Sequence, residues 1–334
     1  MNKKRTIKRN ETIRLSILLA VCLLLLVATI VVACKAFSKG KTTTADTSSP
    51  QYIELSIVEG ANLADTKVKL DSADISYEIV PTSSKTPNKV EKIEYIGKEE
   101  NGKIFVEVGT SVKLHANEVG MDKIIYLTFD DGPTRDNTLN ILDTLDSYGI
   151  KATFFVQGKN VKNYPDRIVA TVQRGHLVGC HSYSHEIGEI YQDVSSFLDE
   201  IEEYEKVVKE ALGESVFASM NKVIRFPGGT TTNSMLSRDE AKQFIASVRA
   251  SGYAVYDWII LTGDAQGNST AQEFIDSLKE GLEENNEANK PLIALLHDKW
   301  STNESLSEIL DYLVNEGYYF DTIDNCPEYT FAEN

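Results

Sequence analysis

A chain of 334 residues with 42% hydrophobic side chains can bury two cores, and its four cysteines are too few for a disulfide framework. Its formal net charge of −16 argues against nucleic acid or an anionic membrane surface as the partner of the main body. The acidity reads most simply as a solvated, soluble surface.

The first 14 residues carry a basic cluster, Lys3, Lys4, Arg5, Lys8, Arg9 and Arg14, opposed by Glu11. Residues 15–34, LSILLAVCLLLLVATIVVAC, follow without a charge. That length spans a hydrocarbon core as a helix, and the basic flank keeps its leading end in the cytoplasm. The expectation is a retained single-pass transmembrane anchor at the cell membrane, with everything after it extracytoplasmic. A second reading stays open. VVAC, residues 31–34, loosely resembles a bacterial lipoprotein cleavage box, with Cys34 as the lipidated residue. Residues 35–50, KAFSKGKTTTADTSSP, have almost no apolar period and read as a flexible stalk.

Residues 51–120 change character. Val68/Leu70, Ile75/Tyr77/Ile79, Ile104/Val106/Val108 and Val112/Leu114 alternate with polar residues at the strand period. Asn101-Gly102 between two such runs predicts a hairpin. The segment is expected to be a small β-rich module, a spacer or packing domain, with glycan binding as the lesser reading.

Residues 121–334 read as alternating strands and helices. The strand-like runs are KIIYLTF, ATFFVQ, HLVGCHS, KVIRFPG, AVYDWII, PLIALLH and YYFDTI. Between them lie helical patterns: NTLNILDTLDSYG, stopping at Gly149, then FLDEIEEYEKVVKEALG, EFIDSLKEGLEE and ESLSEILDYLVNEG. This alternation predicts an α/β fold of right-handed parallel units, a distorted (β/α) barrel of about seven strands. Cys180 is expected to be a small buried residue; sequence alone does not say whether it pairs with Cys326.

In such barrels the reactive groups stand at the C-terminal ends of strands. Those ends carry Asp130-Asp131, then His181 and His185 in HSYSH, Arg225, Trp258 leading to Asp264, and His297. His181 and His185 are four apart, and one helical turn would aim both rings the same way. Two imidazoles and a strand-end carboxylate form a facial set for a hydrolytic Zn²⁺ or similar divalent ion. A lone H-x-x-x-H occurs often on surface helices, and a lone DDG is an ordinary turn. A dication would neutralise one aspartate and leave its neighbour free to act as a base.

TFDDGP, HSYSH, RFPGG, the Trp258 to Asp264 stretch and LLHD occur in this order. Together they resemble the five motifs of the polysaccharide deacetylases, the family 4 carbohydrate esterases with a NodB homology domain. The resemblance spans residues 123–330. It implies a distorted (β/α) barrel and metal-dependent removal of N-acetyl groups from amino sugars; some relatives cleave acetyl esters of xylan. Carried over by position, Asp131, His181 and His185 would bind the metal, Zn²⁺ first, with Co²⁺, Ni²⁺ or Mn²⁺ as alternatives. Asp130 would be the general base, held by Arg225. His297 would be the general acid, oriented by Asp264. The Gly228 N–H would stabilise the oxyanion, and Trp258 and Tyr183 would meet substrate. Asp298 and Trp300 would line the groove. Thr128 and Phe129 read as packing, His176 as structural and His115 as incidental to the β module.

Three positions depart from the common family pattern: Ala265 follows Asp264 in place of a tryptophan, Leu261 replaces an acid, and Gly228 replaces a tyrosine. They bear on the groove and leave the ligand set intact. The expected activity is deacetylation of a cell-surface glycan, with peptidoglycan N-acetylglucosamine the nearest abundant substrate. Chitin-like oligomers, other surface glycans and acetylxylan stay open. The competing class is a catalytically weak glycan- or metal-binding surface protein. Against it stands completeness: base, acid, arginine and three ligand positions are all filled.

Overall fold

The computed structural model describes residues 50–334, apart from 56, 85, 102, 232–234, 266–269 and 286–289. The expected anchor and nearly all of the stalk lie outside the described residues. Among the described residues no helix is long and apolar enough to cross a membrane. Tyr52–Asn334 form one unit with separate hydrophobic cores.

The N-terminal part of that unit has two three-stranded sheets. One runs β1 (Tyr52–Leu55), β5 (Lys103–Glu107), β4 (Gly97–Glu100); the other runs β2 (Tyr77–Pro81), β6 (Val112–Ala116), β3 (Val90–Glu94). The Asn101-Gly102 expectation holds: Glu100 opposes Lys103 across an antiparallel pair, and Asn101 takes φ 54°. The Val68/Leu70 reading does not hold. Both belong to helix α1 (Leu63–Ser72), where Leu70 is buried and Val68 exposed. A strand puts residues two apart on one face, whereas a helix puts them on opposite faces, as the buried Leu70 and exposed Val68 lie. The deciding signal was Asn62, whose Oδ1 accepts the N–H of Ala64 at 2.9 Å as an N-cap.

The larger part is the α/β barrel. Its strands are β7 (Ile124–Gly132), β8 (Thr153–Val156), β9 (Leu177–Cys180), β10 (Val223–Ile224), β11 (Ala254–Val255), β12 (Ile260–Leu261), β13 (Leu292–His297) and β14 (Tyr319–Phe320). Seven run side by side in the order β11-β10-β9-β8-β7-β13-β12, all parallel, and β14 pairs with β7. The helices are α2 (Asn137–Tyr148), α3 (Gly158–Asn163), α4 (Pro165–Gln173), α5 (Ile187–Ile190), α6 (Val194–Leu212), α7 (Glu214–Ser219), α8 (Arg238–Ala250), α9 (Ala271–Glu284) and α10 (Trp300–Asn315). Gly149 ends α2 at φ 68°, the left-handed stop its sequence predicts.

One predicted strand, AVYDWII, is two. It supplies β11 and β12, which lie at opposite ends of the seven-strand path. Seven strands laid flat at ~4.8 Å spacing would put those ends about 29 Å apart. Five residue steps, Val255 to Ile260, reach at most about 18 Å. The sheet therefore curls, bringing its two ends within about 18 Å of each other. The carbonyls of Tyr256 and Asp257, inside the break, turn to the Arg225 guanidinium.

Inside, Leu127, Phe129, Phe154, Val178, Ile224, Leu296 and the apolar faces of the helices form one core. Burying each such side chain contributes about 1.5–3 kcal/mol. Cys180 is fully buried, as expected, and both Cys180 and Cys326 are free thiols.

Candidate metal centre and active site

Adjacent residues of a strand point to opposite faces, yet Asp130 and Asp131 serve the same mouth of the barrel. Asp131 adopts φ 70°, and the register with β8 slips between Asp130 and Gly132. This bulge turns both carboxylates toward His181, whose Nε2 lies 3.8 Å from Asp130 Oδ2 and 3.6 Å from Asp131 Oδ1. Asp130 is buried and Asp131 half-exposed. The left-handed backbone at Asp131 is strained for a residue with a Cβ. It is braced by Asn160, whose Nδ2 donates to the Asp131 carbonyl at 2.8 Å.

His181 and His185 do meet, with ring centroids 5.0 Å apart. The route differs from the expected helical turn. Ser182 and His185 are both left-handed, at φ 61°, and the segment is an irregular loop. It is pinned by side chains: the His185 N–H donates to Ser182 Oγ at 3.0 Å, and the N–H groups of Tyr183 and Ser184 donate to Glu200 Oε2 at 2.9 and 2.6 Å. Glu200 stands on α6, so the long helix that follows the loop sets it.

Asp131, His181 and His185 each offer a ligand atom, all within 4.8 Å of one another. The donor set fits a divalent ion. The Nδ1 of His181 lies 2.9 Å from the Arg225 carbonyl, which can only accept, so Nδ1 carries the proton and Nε2 presents its lone pair. His185 Nε2 lies 3.4 Å from Asp131 Oδ1. Burial raises the Asp131 pKa, but the three nearby imidazoles and the Gln157 hydrogen bond outweigh it, and the group titrates below the ordinary carboxylate range. Burial, then the neighbouring His181, lowers the pKa of His185, keeping it neutral as a ligand must be.

Arg225 is fully buried at the end of β10. Its Nη1 lies 2.9 Å from Asp130 Oδ1 and donates to Thr128 Oγ1 at 2.6 Å. Its Nε and Nη2 donate to the carbonyls of Tyr256 and Asp257 at 3.2 and 3.0 Å. The guanidinium lies over the Phe155 ring at 4.5 Å.

On the other side, β13 ends in His297. Its Nδ1 and N–H both engage Asp264, at 2.8 and 2.7 Å. Its Nε2 lies 4.0 Å from Asp131 Oδ2, so His297 shares the mouth with the cluster. Burial opposes protonation of His297, but the Asp264 hydrogen bond and the three nearby carboxylates win, and its pKa is raised. Burial likewise pushes Asp264 up, and His297 and Lys299 bring it below its ordinary range.

The remaining expectations divide. Gly228 is exposed on the loop after Arg225. Tyr183 is half-buried and packs against the main core, and Trp258 is half-buried, edge-on to Phe331 at 5.1 Å. Trp300 is exposed at the start of α10. Asp298 does not line a groove. It is buried, accepts hydrogen bonds from the hydroxyls of Thr134 and Thr138, and its N–H donates to the Asp130 carbonyl at 2.8 Å. It staples the Asp-Asp strand end from behind. Thr128 is not mere packing, because it holds Arg225. His176 is structural, its Nδ1 accepting the Ala152 N–H at 3.2 Å.

Sequence reasoning missed Gln157, Asn160, Glu200 and Asp257. Gln157 is buried, and its Nε2 donates to Asp131 Oδ1 at 2.7 Å. A polar residue closing the otherwise apolar ATFFVQ run was the available signal.

A family model described as polysaccharide deacetylase matches residues 118–245. A peptidoglycan-N-acetylglucosamine deacetylase of Bacillus cereus is 32% identical over 203 residues, covering 60% of this chain and 68% of that one. Among solved structures, the catalytic domain of a peptidoglycan N-acetylglucosamine deacetylase from Eubacterium rectale superposes with a TM-score of 0.54 at 31% identity, covering 62% of this chain and 92% of that one. A CE4 esterase from Streptococcus mutans gives 0.53 at 26% identity, covering 60% and 86%.

Proposed function

Since the chain belongs to the polysaccharide deacetylase family, hydrolases acting on amide bonds of polysaccharides, we propose that it removes N-acetyl groups from the N-acetylglucosamine of peptidoglycan. One observation carries this reading: a buried Arg225–Asp130 pair and an Asp264–His297 pair flank the Asp131, His181 and His185 cluster at a single mouth.

Asp131, His181 and His185 would hold a divalent ion, Zn²⁺ in the first instance, which supplies Lewis acidity to the acetyl carbonyl. Asp130 takes a proton from the attacking water. Arg225 donates to Oδ1 and fixes it, leaving Oδ2 turned toward the cluster. His297 gives its proton from Nε2 to the departing amine, because Nδ1 is committed to Asp264. Asp130 is buried and His297 half-buried, which strengthens their electrostatics toward the developing charge. The substrate assignment is supported by the relatives named above. The tether is supported by the uncharged residues 15–34 and their basic flank, which would set the site beside the wall.

The test is acetate release by the purified chain, loaded in turn with Zn²⁺, Co²⁺, Ni²⁺ and Mn²⁺, from peptidoglycan, N-acetylglucosamine oligomers and acetylxylan. Peptidoglycan should give the fastest release. Asp130→Asn should abolish it while bound metal is unchanged. Undiminished turnover in that variant removes Asp130 as base, and release from acetylxylan alone overturns the amide substrate.

A further inference from the structure

Gly228 and Gly229, directly after the Arg225-Phe226-Pro227 stretch, are both left-handed, at φ 75° and 78°. Only glycine takes that conformation without strain, and two in succession make a loop of high intrinsic freedom. Such a loop keeps one geometry when both ends are tied. The near end is tied by Tyr191, whose hydroxyl donates to the Pro227 carbonyl at 2.9 Å, and by the Gly229 N–H on the Phe226 carbonyl at 2.8 Å.

The far end is tied to Asp257. The Thr230 N–H donates to Asp257 Oδ1 at 3.0 Å and the Thr230 hydroxyl to Oδ2 at 2.5 Å. The Phe331 N–H adds a third donor at 2.7 Å, and the Ala332 N–H donates to Thr230 Oγ1 at 3.2 Å. Thr230 and Asp257 are both fully buried. Burying a carboxylate costs several kcal/mol of desolvation, which these donors offset in part. Packing alone would be served as well by an apolar residue. What an apolar residue cannot do is hold the loop through its side chain and the guanidinium through its main chain. Asp257 does both, because its carbonyl accepts Arg225 Nη2 at 3.0 Å.

We propose that Asp257 is a positioning residue for the deacetylation, acting with Thr230. Its carboxylate holds the far end of the Gly228–Gly229 turn, so that the turn following Arg225 keeps one geometry. Its carbonyl aims the arginine that pairs with the base. This rests on the deacetylase reading above.

The test uses the full chain and three variants: Thr230→Val, Thr230→Ser and Asp257→Asn. Thr230→Val is nearly isosteric and removes the hydroxyl. It should lower kcat for acetate release about ten- to hundredfold with KM within about threefold, and Thr230→Ser should recover at least half of that loss on a logarithmic scale. Amide hydrogen exchange at 226–230 should quicken about tenfold in Thr230→Val, with the Asp130 strand unchanged. Asp257→Asn should follow Thr230→Val; if it does not fold, the threonine pair still decides. A kcat within twofold of the parent in Thr230→Val, or a change confined to KM, overturns the proposal. If the parent itself releases no acetate, the deacetylase reading fails, and the exchange arm alone then decides whether the clamp exists.

Discussion

Arg225 Nη1 stands 2.9 Å from Asp130 Oδ1 in an ion pair with both side chains at most 4% exposed. Such a pair stabilises little in net terms, because desolvating two charges offsets most of their attraction. Removing one partner is another matter. Arg225→Ala strands a buried carboxylate and frees Thr128 and two carbonyls of their donor. The expected loss is about 3–5 kcal/mol, read as a lower midpoint in denaturant. Arg225→Lys keeps the charge and lacks the fork, so it should fold nearly as well and still lose most of its kcat. Equal activity in the lysine variant would show that the fork has no part in aiming Asp130.

Gln157 should matter for metal affinity rather than folding. Its amide donates to the same Asp131 oxygen that faces both imidazoles. Gln157→Leu should weaken Zn²⁺ binding about 10- to 100-fold by calorimetry, with little change in the melting of the metal-free chain. An unchanged Kd would reduce Gln157 to a packing role.

Asp264 holds His297 through two hydrogen bonds, one to the ring and one to the backbone. Asp264→Asn replaces an acceptor with a group that can turn its NH₂ toward Nδ1. A fall in kcat of about 100-fold or more is expected, with metal content retained. A variant with parental kcat would mean that His297 needs no orienting partner.

His176 makes stability depend on pH. Its Nδ1 accepts a backbone N–H, and burial, followed by the charge of Lys151, lowers its pKa from 6.5 to about 4. Between those values the unfolded chain binds the proton and the folded chain does not. Stability from this group is therefore complete above pH 6.5 and declines as pH falls toward 4, by about 3 kcal/mol in all. Denaturation at pH 7.5, 6 and 4.5 should show His176→Gln losing less stability on acidification than the parent. Parallel pH curves would exclude His176 as the source.

The barrel was legible because its strands are buried on both faces. Runs such as IIYLTF and LIALL have no other easy home, and Gly149 marks a helix end with its own conformational preference. The β-rich part was less legible: Val68 and Leu70 alternate with polar residues as a strand would, and the Asn62 cap is what marks the helix. The break in AVYDWII was invisible, since it follows from sheet closure and from Arg225, 31 residues away, drawing in the Tyr256 carbonyl.

By itself the sequence determined which residue types were at hand and in what order: two adjacent carboxylates, two histidines four apart, one arginine, and an acid–histidine pair, each at the end of a buried run. Residue chemistry and strand burial are local properties, so they survive in a string of letters. Only the tertiary structure decided that Asp130 and Asp131 face the same way, that the His181–His185 loop is left-handed and leans on Glu200, and that Gln157, Thr128 and Asp257 serve the site while Asp298 braces it from behind. The reason is physical. A bulge, a left-handed loop and a buried hydrogen-bond partner are fixed by contacts between strands and helices far apart in the chain, and no local preference encodes them.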